Sequence, residues 1–329
     1  MKHLYSILFL SFLFLFLLFF PSQALDASKT GLLLWFDALL PTLLPFLVLS
    51  QAILKTPLID LIQKIFGPIF QKIFHCSYAG AFCIVCGFLC GYPVGARLIA
   101  AQLKDHKMSL EEGQFLLSFC NNVSPMFCIS YGIMKGIGTD RLLPYLLIIY
   151  LSPVIWGYFT RPAKPYLNAA QTKKQTSSAD PIFQLIDVCI IDSFLVLIKL
   201  CGYLILFSLF TKALFLLFPW NSLSITAMLS TALEITGGLS QISKLPLGTL
   251  RTALAVCGLS FGGFCCIFQI HSVVSETELN LKTYLLHKVL IMLLALFLFW
   301  SFRFCSSFFP VNGWSQFLTV FCDHFIVTI

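Results

Sequence analysis

Apolar runs of about 20 residues recur along the whole chain, beginning with the unbroken stretch from Leu4 to Phe20. A run of that length lets an α-helix cross the ~30 Å hydrocarbon core of a bilayer. In lipid, backbone polar groups must be satisfied within the element itself, so repeated runs of this kind specify a bundle of membrane helices. A lipid-facing β-barrel would show short alternating segments, and none occur. Side-chain usage agrees: of 329 residues 58% are hydrophobic and 11% charged, and Phe alone supplies 35. A soluble domain carries about 25% charged residues, so this chain has too few to cover a water-facing surface. That excludes a cytoplasmic enzyme, a nucleic-acid-binding module and a disordered regulator. The 21 basic and 14 acidic side chains leave a net charge of +7, which in a membrane protein gathers in cytoplasmic loops and does not call for nucleic acid. The expected fold is an all-α polytopic membrane protein, with the lipid bilayer as its first partner.

Residues 1–24 read as a first span or signal-anchor. Lys2 and His3 precede the apolar stretch and Pro21-Ser22-Gln23-Ala24 follows it, a pattern shared with cleaved signal peptides. Retention is the expectation, because the next apolar run starts soon after. That second span is predicted over Gly31–Leu54. Between Leu58 and Phe74, apolar residues at 58, 62, 65, 69 and 73 oppose Asp60, Gln63, Lys64, Gln71 and Lys72, which predicts an interfacial helix. Tyr78–Leu103 and Gln114–Met134 are apolar but interrupted, and Arg141–Thr160 is a cleaner span. Residues 161–181 form a polar, basic linker with Pro162 and Pro165, expected on the cytoplasmic side. Runs at 182–218, 223–243, 248–273 and 280–303 follow, then an apolar tail over 304–329. The total is about eight to ten membrane-embedded segments.

The stretches 25–160 and 182–303 share an outline: a span, two interrupted segments, another span. Gly95 to Asn121 is 26 residues and Gly238 to Gly262 is 24; Asn122 to Tyr145 is 23 and Gly262 to Tyr284 is 22. Paired interrupted segments in matching positions point to two structurally related halves with broken or re-entrant helices, and to a binding site where the breaks meet.

Chemistry is expected at those interruptions. In Gly91-Tyr92-Pro93-Val94-Gly95-Ala96-Arg97, glycine permits unwinding and proline removes an amide hydrogen. Freed backbone groups in lipid are tolerated only where they line a polar cavity or are buried in protein. A helix restarting after Pro93 would aim its amino end at that cavity, and Arg97 follows within a turn, so both suit an anion. Asn121, Asn122 and Ser124 interrupt the next run with groups that donate and accept. The counterparts are Glu234, Gly237 and Gly238, then Ser260 and Gly262. Glu234 is the one acid of its stretch and a candidate for binding a coupling proton or Na+. Arg251 marks a span boundary, and Asp37, Asp187, Asp192 and Lys199 are assigned to interfacial helix faces. Glu111 and Glu112 beside His106 are read as a solvated loop. Cys83, Cys86 and Cys90 form a C-x2-C-x3-C string, but no second ligand pair completes a metal set, so they are read as a packing face. No nucleotide, zinc-protease or serine-hydrolase motif occurs, so an enzyme is not expected.

These residues also carry a resemblance. The strings GLLLWFDALLPTLLPFLVLS, CGYPVGARLIAAQL, SFCNNVSPMF, DSFLVLIKLCGYLILFS, ALEITGG and SFGGF resemble, in that order, the sporulation integral membrane proteins of the YlbJ type, within the nucleoside-recognition or Gate-domain superfamily. The resemblance runs from about residue 25 to 303. It implies a fold related to concentrative nucleoside transporters, residence in the cell membrane (the forespore outer membrane in a spore former) and movement of a small anionic metabolite such as dipicolinate. The cavity residues carried over are Gly91, Pro93, Gly95, Arg97, Asn121, Asn122, Ser124, Glu234, Gly237, Gly238, Ser260 and Gly262, with no cofactor and no metal. The expected partner is a small anionic solute; assembly as a homo-oligomer, a nucleoside-type substrate and a scaffold role without transport stay open.

Overall fold

The computed structural model describes residues 2–166 and 182–308, so most of the expected linker and all but the start of the expected tail lie outside the described residues. Among the described residues every regular element is helical. The first are α1 (Lys2–Phe19), α2 (Pro21–Leu34) and α3 (Leu40–Leu54), with a π-helical turn at Trp35–Leu39 between the last two. Next come α4 (Leu58–Phe74), α5 (Tyr78–Cys90), α6 (Val94–Lys104), α7 (Leu110–Phe119) and the short α8 (Pro125–Phe127), which continues as a π-helix through Cys128–Ile137; a turn at 138–141 then leads to α9 (Leu142–Phe159). Past the linker lie α10 (Ile182–Leu217), α11 (Leu223–Leu233), α12 (Ile235–Ile242), α13 (Thr249–Phe261), α14 (Gly263–Val274) and α15 (Leu281–Phe308).

The amphipathic segment has the bounds its pattern predicts. α4 leaves Leu61, Ile65 and Ile69 exposed along one face, ends at His75 in the left-handed region, and meets α5 at 94°. An apolar face presented sideways in this way fits a helix lying at the membrane surface.

Two expectations need correction. Residues 21–30, read as a gap between spans, are helical, and the apolar helix runs unbroken over Pro21–Ile53, 33 residues. The i→i−4 ladder continues across the junction through the Phe20 and Ala24 amides, and Pro21 sits in a first turn where its missing N–H costs nothing. The expected eight to ten embedded segments are also not all spans: among the described residues five helices are long and apolar enough to cross, or six if the bent pair α4–α5 is one. The glycine, proline and asparagine breaks are the cause. They leave α5, α6, α7, α11 and α12 at 8 to 13 residues, and 13 residues of α-helix extend only ~20 Å.

The broken helices form the centre and the long ones the wall. Of the segment α13–α14, 67% is buried, against 22–28% of the other candidate spans. α10 packs along α2 and α3, and α15 along α9 and α13. Phe74 against Phe119, with ring centroids 4.9 Å apart, closes the contact between α4 and α7. Several apolar helices and this wall-and-core arrangement describe an integral membrane protein.

Candidate functional site

All four predicted interruptions are breaks in the helices. α5 ends at Gly91, whose φ is +77°, and α6 restarts after Pro93. A Cβ on Gly91 would lie 2.5 Å from the Ser124 amide nitrogen, so glycine is what lets the first two breaks touch. α7 ends before Cys120, and Ser124 caps the restart by accepting from the Phe127 amide at 3.4 Å. In the second half, extended backbone at Glu234 separates α11 from α12, and Gly262, at φ +87°, separates α13 from α14.

Three of these breaks converge on one polar cluster. Gly95 brings α6 within reach of Asn121, whose Oδ1 would lie 3.2 Å from a Cβ there. Asn122 donates to the Phe119 carbonyl at 2.8 Å and accepts at Oδ1 from Lys288 Nζ at 3.1 Å. Lys288 also reaches the Ser260 carbonyl at 3.5 Å, and its Nζ lies 5.0 Å from the centroid of the Tyr92 ring. Tyr284, one turn earlier on α15, sits beside Tyr92 and Asn121. Lys288 is 0% exposed. The sequence pattern assigned no site role to Lys288, Tyr92 or Tyr284. A lysine inside an apolar run was the available signal, since an intramembrane ionisable residue is a functional candidate by default.

Arg97 faces elsewhere. It lines a cavity of about 400 Å³ between α6, α10 and α14, with Pro93, Lys104, Lys199, Gln269 and Glu276. One terminal nitrogen of Arg97 and the carbonyl oxygen of the Gln269 side chain are buried there without hydrogen-bond partners. Lys104 pairs with Glu276 at the mouth. Lys199 and Asp192, expected on interfacial faces, line this cavity as well.

Other polar residues hold the scaffold. Glu234 accepts from the Thr236 and Gly237 amides at 2.7 and 2.6 Å, capping α12 with both oxygens. Gly238 is pressed against Thr231, whose Cα would lie 2.3 Å from a Cβ. Arg251 donates to the carbonyls of Gly136, Leu245 and Lys135 at 2.8, 3.1 and 3.0 Å, tying the end of the π-helix to α13. Cys83, Cys86 and Cys90 are buried in α5. Glu112, expected in a solvated loop, is only 1% exposed and accepts from the Ser77 amide at 2.6 Å. Burial pushes its carboxyl above the usual range, and the Ser77 hydrogen bonds pull back.

Residues 37–140 match the family model described as Gate, nucleoside recognition. Over 307 residues the chain is 26% identical to the sporulation integral membrane protein YlbJ of Bacillus subtilis (strain 168), covering 82% of this chain and 75% of that protein. No solved structure matches. The resemblance read from the sequence thus holds. The Gate match starts at Asp37 and includes the first two breaks, whereas Lys288 and Gly262 lie outside it.

Proposed function

We propose that this chain is a membrane transporter or facilitator for a small anionic or heterocyclic metabolite, acting in sporulation, with dipicolinate as its solute. The observation that carries the reading is the Arg97 cavity. Arg97 lines this cavity, and one of its guanidinium nitrogens is buried without a hydrogen-bond partner among the described residues, a cost in a membrane protein that an anionic ligand beside it would offset. Pro93, at the first break, forms part of the same wall, so a solute there meets both the arginine and the restarting end of α6. The two breaks in each half support a repeat-built architecture in which one half moves against the other. Similarity to a sporulation protein supports residence in the cell membrane of a spore former, at the outer forespore membrane. Purified protein in sealed vesicles should take up radiolabelled dipicolinate, and Arg97→Ala should abolish uptake while insertion into the vesicles is unchanged. Equal uptake by the variant would sink this assignment.

A further inference from the structure

Behind the Arg97 cavity, the cluster around Lys288 has the composition of a second binding site. Its groups are Lys288, Asn121, Asn122, Tyr92, Tyr284 and Ser260, and each is at least 93% buried. Among the described residues Lys288 has no carboxylate partner: its contacts are the Asn122 amide oxygen, the Ser260 carbonyl and the face of Tyr92. Glu234 spends both oxygens on the amides of α12. Around the ammonium, the hydroxyls of Tyr92 and Tyr284 and the Asn121 amide meet only one another, and the buried Ser260 hydroxyl has no hydrogen-bond partner among the described residues. A buried cation ringed by neutral donors and acceptors, with hydrogen-bonding capacity to spare, describes a site that a small anion would complete.

We propose that these six residues form an occluded inner station for a small carboxylate, and that Tyr92 divides it from the Arg97 cavity. The ammonium and the amide and hydroxyl donors match carboxylate oxygens, which accept only. Pro93 lines the outer cavity while the adjacent Tyr92 covers Lys288, so displacement of that one ring would open a path from the cavity to the ammonium. A Cβ on Gly262 would lie 2.6 Å from the Tyr92 hydroxyl, so the glycine break is what seats that ring. Lys288 comes from α15, opposite breaks of both halves, and an anion bound there would be held by both at once.

The station deepens the transporter reading but is tested apart from it, by thermal unfolding of the full chain in detergent. Pyridine-2,6-dicarboxylate should stabilise the wild type, and its uncharged diamide should not. Lys288→Met should raise the half-saturating dicarboxylate concentration at least about tenfold, with an unliganded melting temperature no lower than wild type, because an uncompensated buried charge is gone. Lys288→Arg, which keeps the charge, should bind more tightly than Lys288→Met. A wild type that the dicarboxylate leaves unstabilised overturns the station. So does a Lys288→Met variant that melts earlier yet saturates at the wild-type concentration, the signature of a purely structural lysine. Dicarboxylate binding that depends on Lys288, together with no uptake into vesicles, would uphold the station and refute transport.

Discussion

Two buried cations in this chain have opposite surroundings. Arg251 meets three main-chain carbonyls in a fork that fits its guanidinium, whereas Lys288 is left with neutral oxygens and an aromatic face. Hydrogen bonds to a charged group are worth about 1.5–3 kcal/mol each. Arg251→Met should therefore cost at least about 2 kcal/mol, read as a lower melting temperature in detergent that dicarboxylate does not restore. Glu112 makes a second prediction, through pH. Its folded-state carboxyl titrates above the ordinary carboxylate range because burial penalises the charge. The folded protein therefore holds that proton where the unfolded chain has released it, and stability falls as pH rises from the ordinary range through the raised one. Melting temperature measured across that window should drop for the wild type, and Glu112→Gln should flatten the drop. An identical slope in both proteins would remove Glu112 as its source.

At the scale of elements, the breaks decide the architecture, and Gly262 shows how tightly. An alanine there must adopt φ +87° and place its Cβ against the Tyr92 hydroxyl. A non-glycine residue in such a region costs about 1–3 kcal/mol before any clash. Gly262→Ala should be destabilising by that much or more, and adding Tyr92→Phe should recover only the part due to the hydroxyl. Strict additivity of the two substitutions in thermal unfolding would mean that no contact exists. All four breaks were legible beforehand, because Gly91, Pro93, Asn121, Asn122, Glu234 and Gly262 interrupt otherwise apolar runs, and punctuation of that kind is local. The 17-residue α4 was legible for the same reason, its apolar face repeating at helical spacing. Lys288 was not, since its partner Asn122 lies 166 residues away and only packing brings the two together. Glu234 was legible as an acid alone in an apolar run, but not the two amides it caps, which belong to its own break. Which embedded segments are full spans was not legible, because hydropathy measures the length of an apolar run and not whether one helix fills it.

The whole molecule gathers the cavity mouth and the residues that lead into the basic linker at one end. Lys104 and Glu276 stand at the mouth, and α6 leads from Lys104 directly into the turn at 105–109. That turn and residues 162–166 line a common surface pocket, the Tyr166 amide donates to the His75 carbonyl at 2.8 Å, and Asn280, in the turn between α14 and α15, bonds to Gln114 of α7. Four connections therefore share this end, and the linker that follows residue 166 adds Lys173 and Lys174. The positive-inside tendency predicts that this end faces the cytoplasm, so the Arg97 cavity is expected to open towards it. Ser272, on α14 within the cavity wall, reports on this directly. Ser272→Cys should react with a membrane-impermeant maleimide in inverted vesicles, above the background of the 13 native cysteines, and stay at background in intact cells. Dicarboxylate should slow the reaction, because a solute at Arg97 shares the cavity with residue 272. Labelling from the outside alone would invert the topology, and with it the direction from which an anion first meets Arg97.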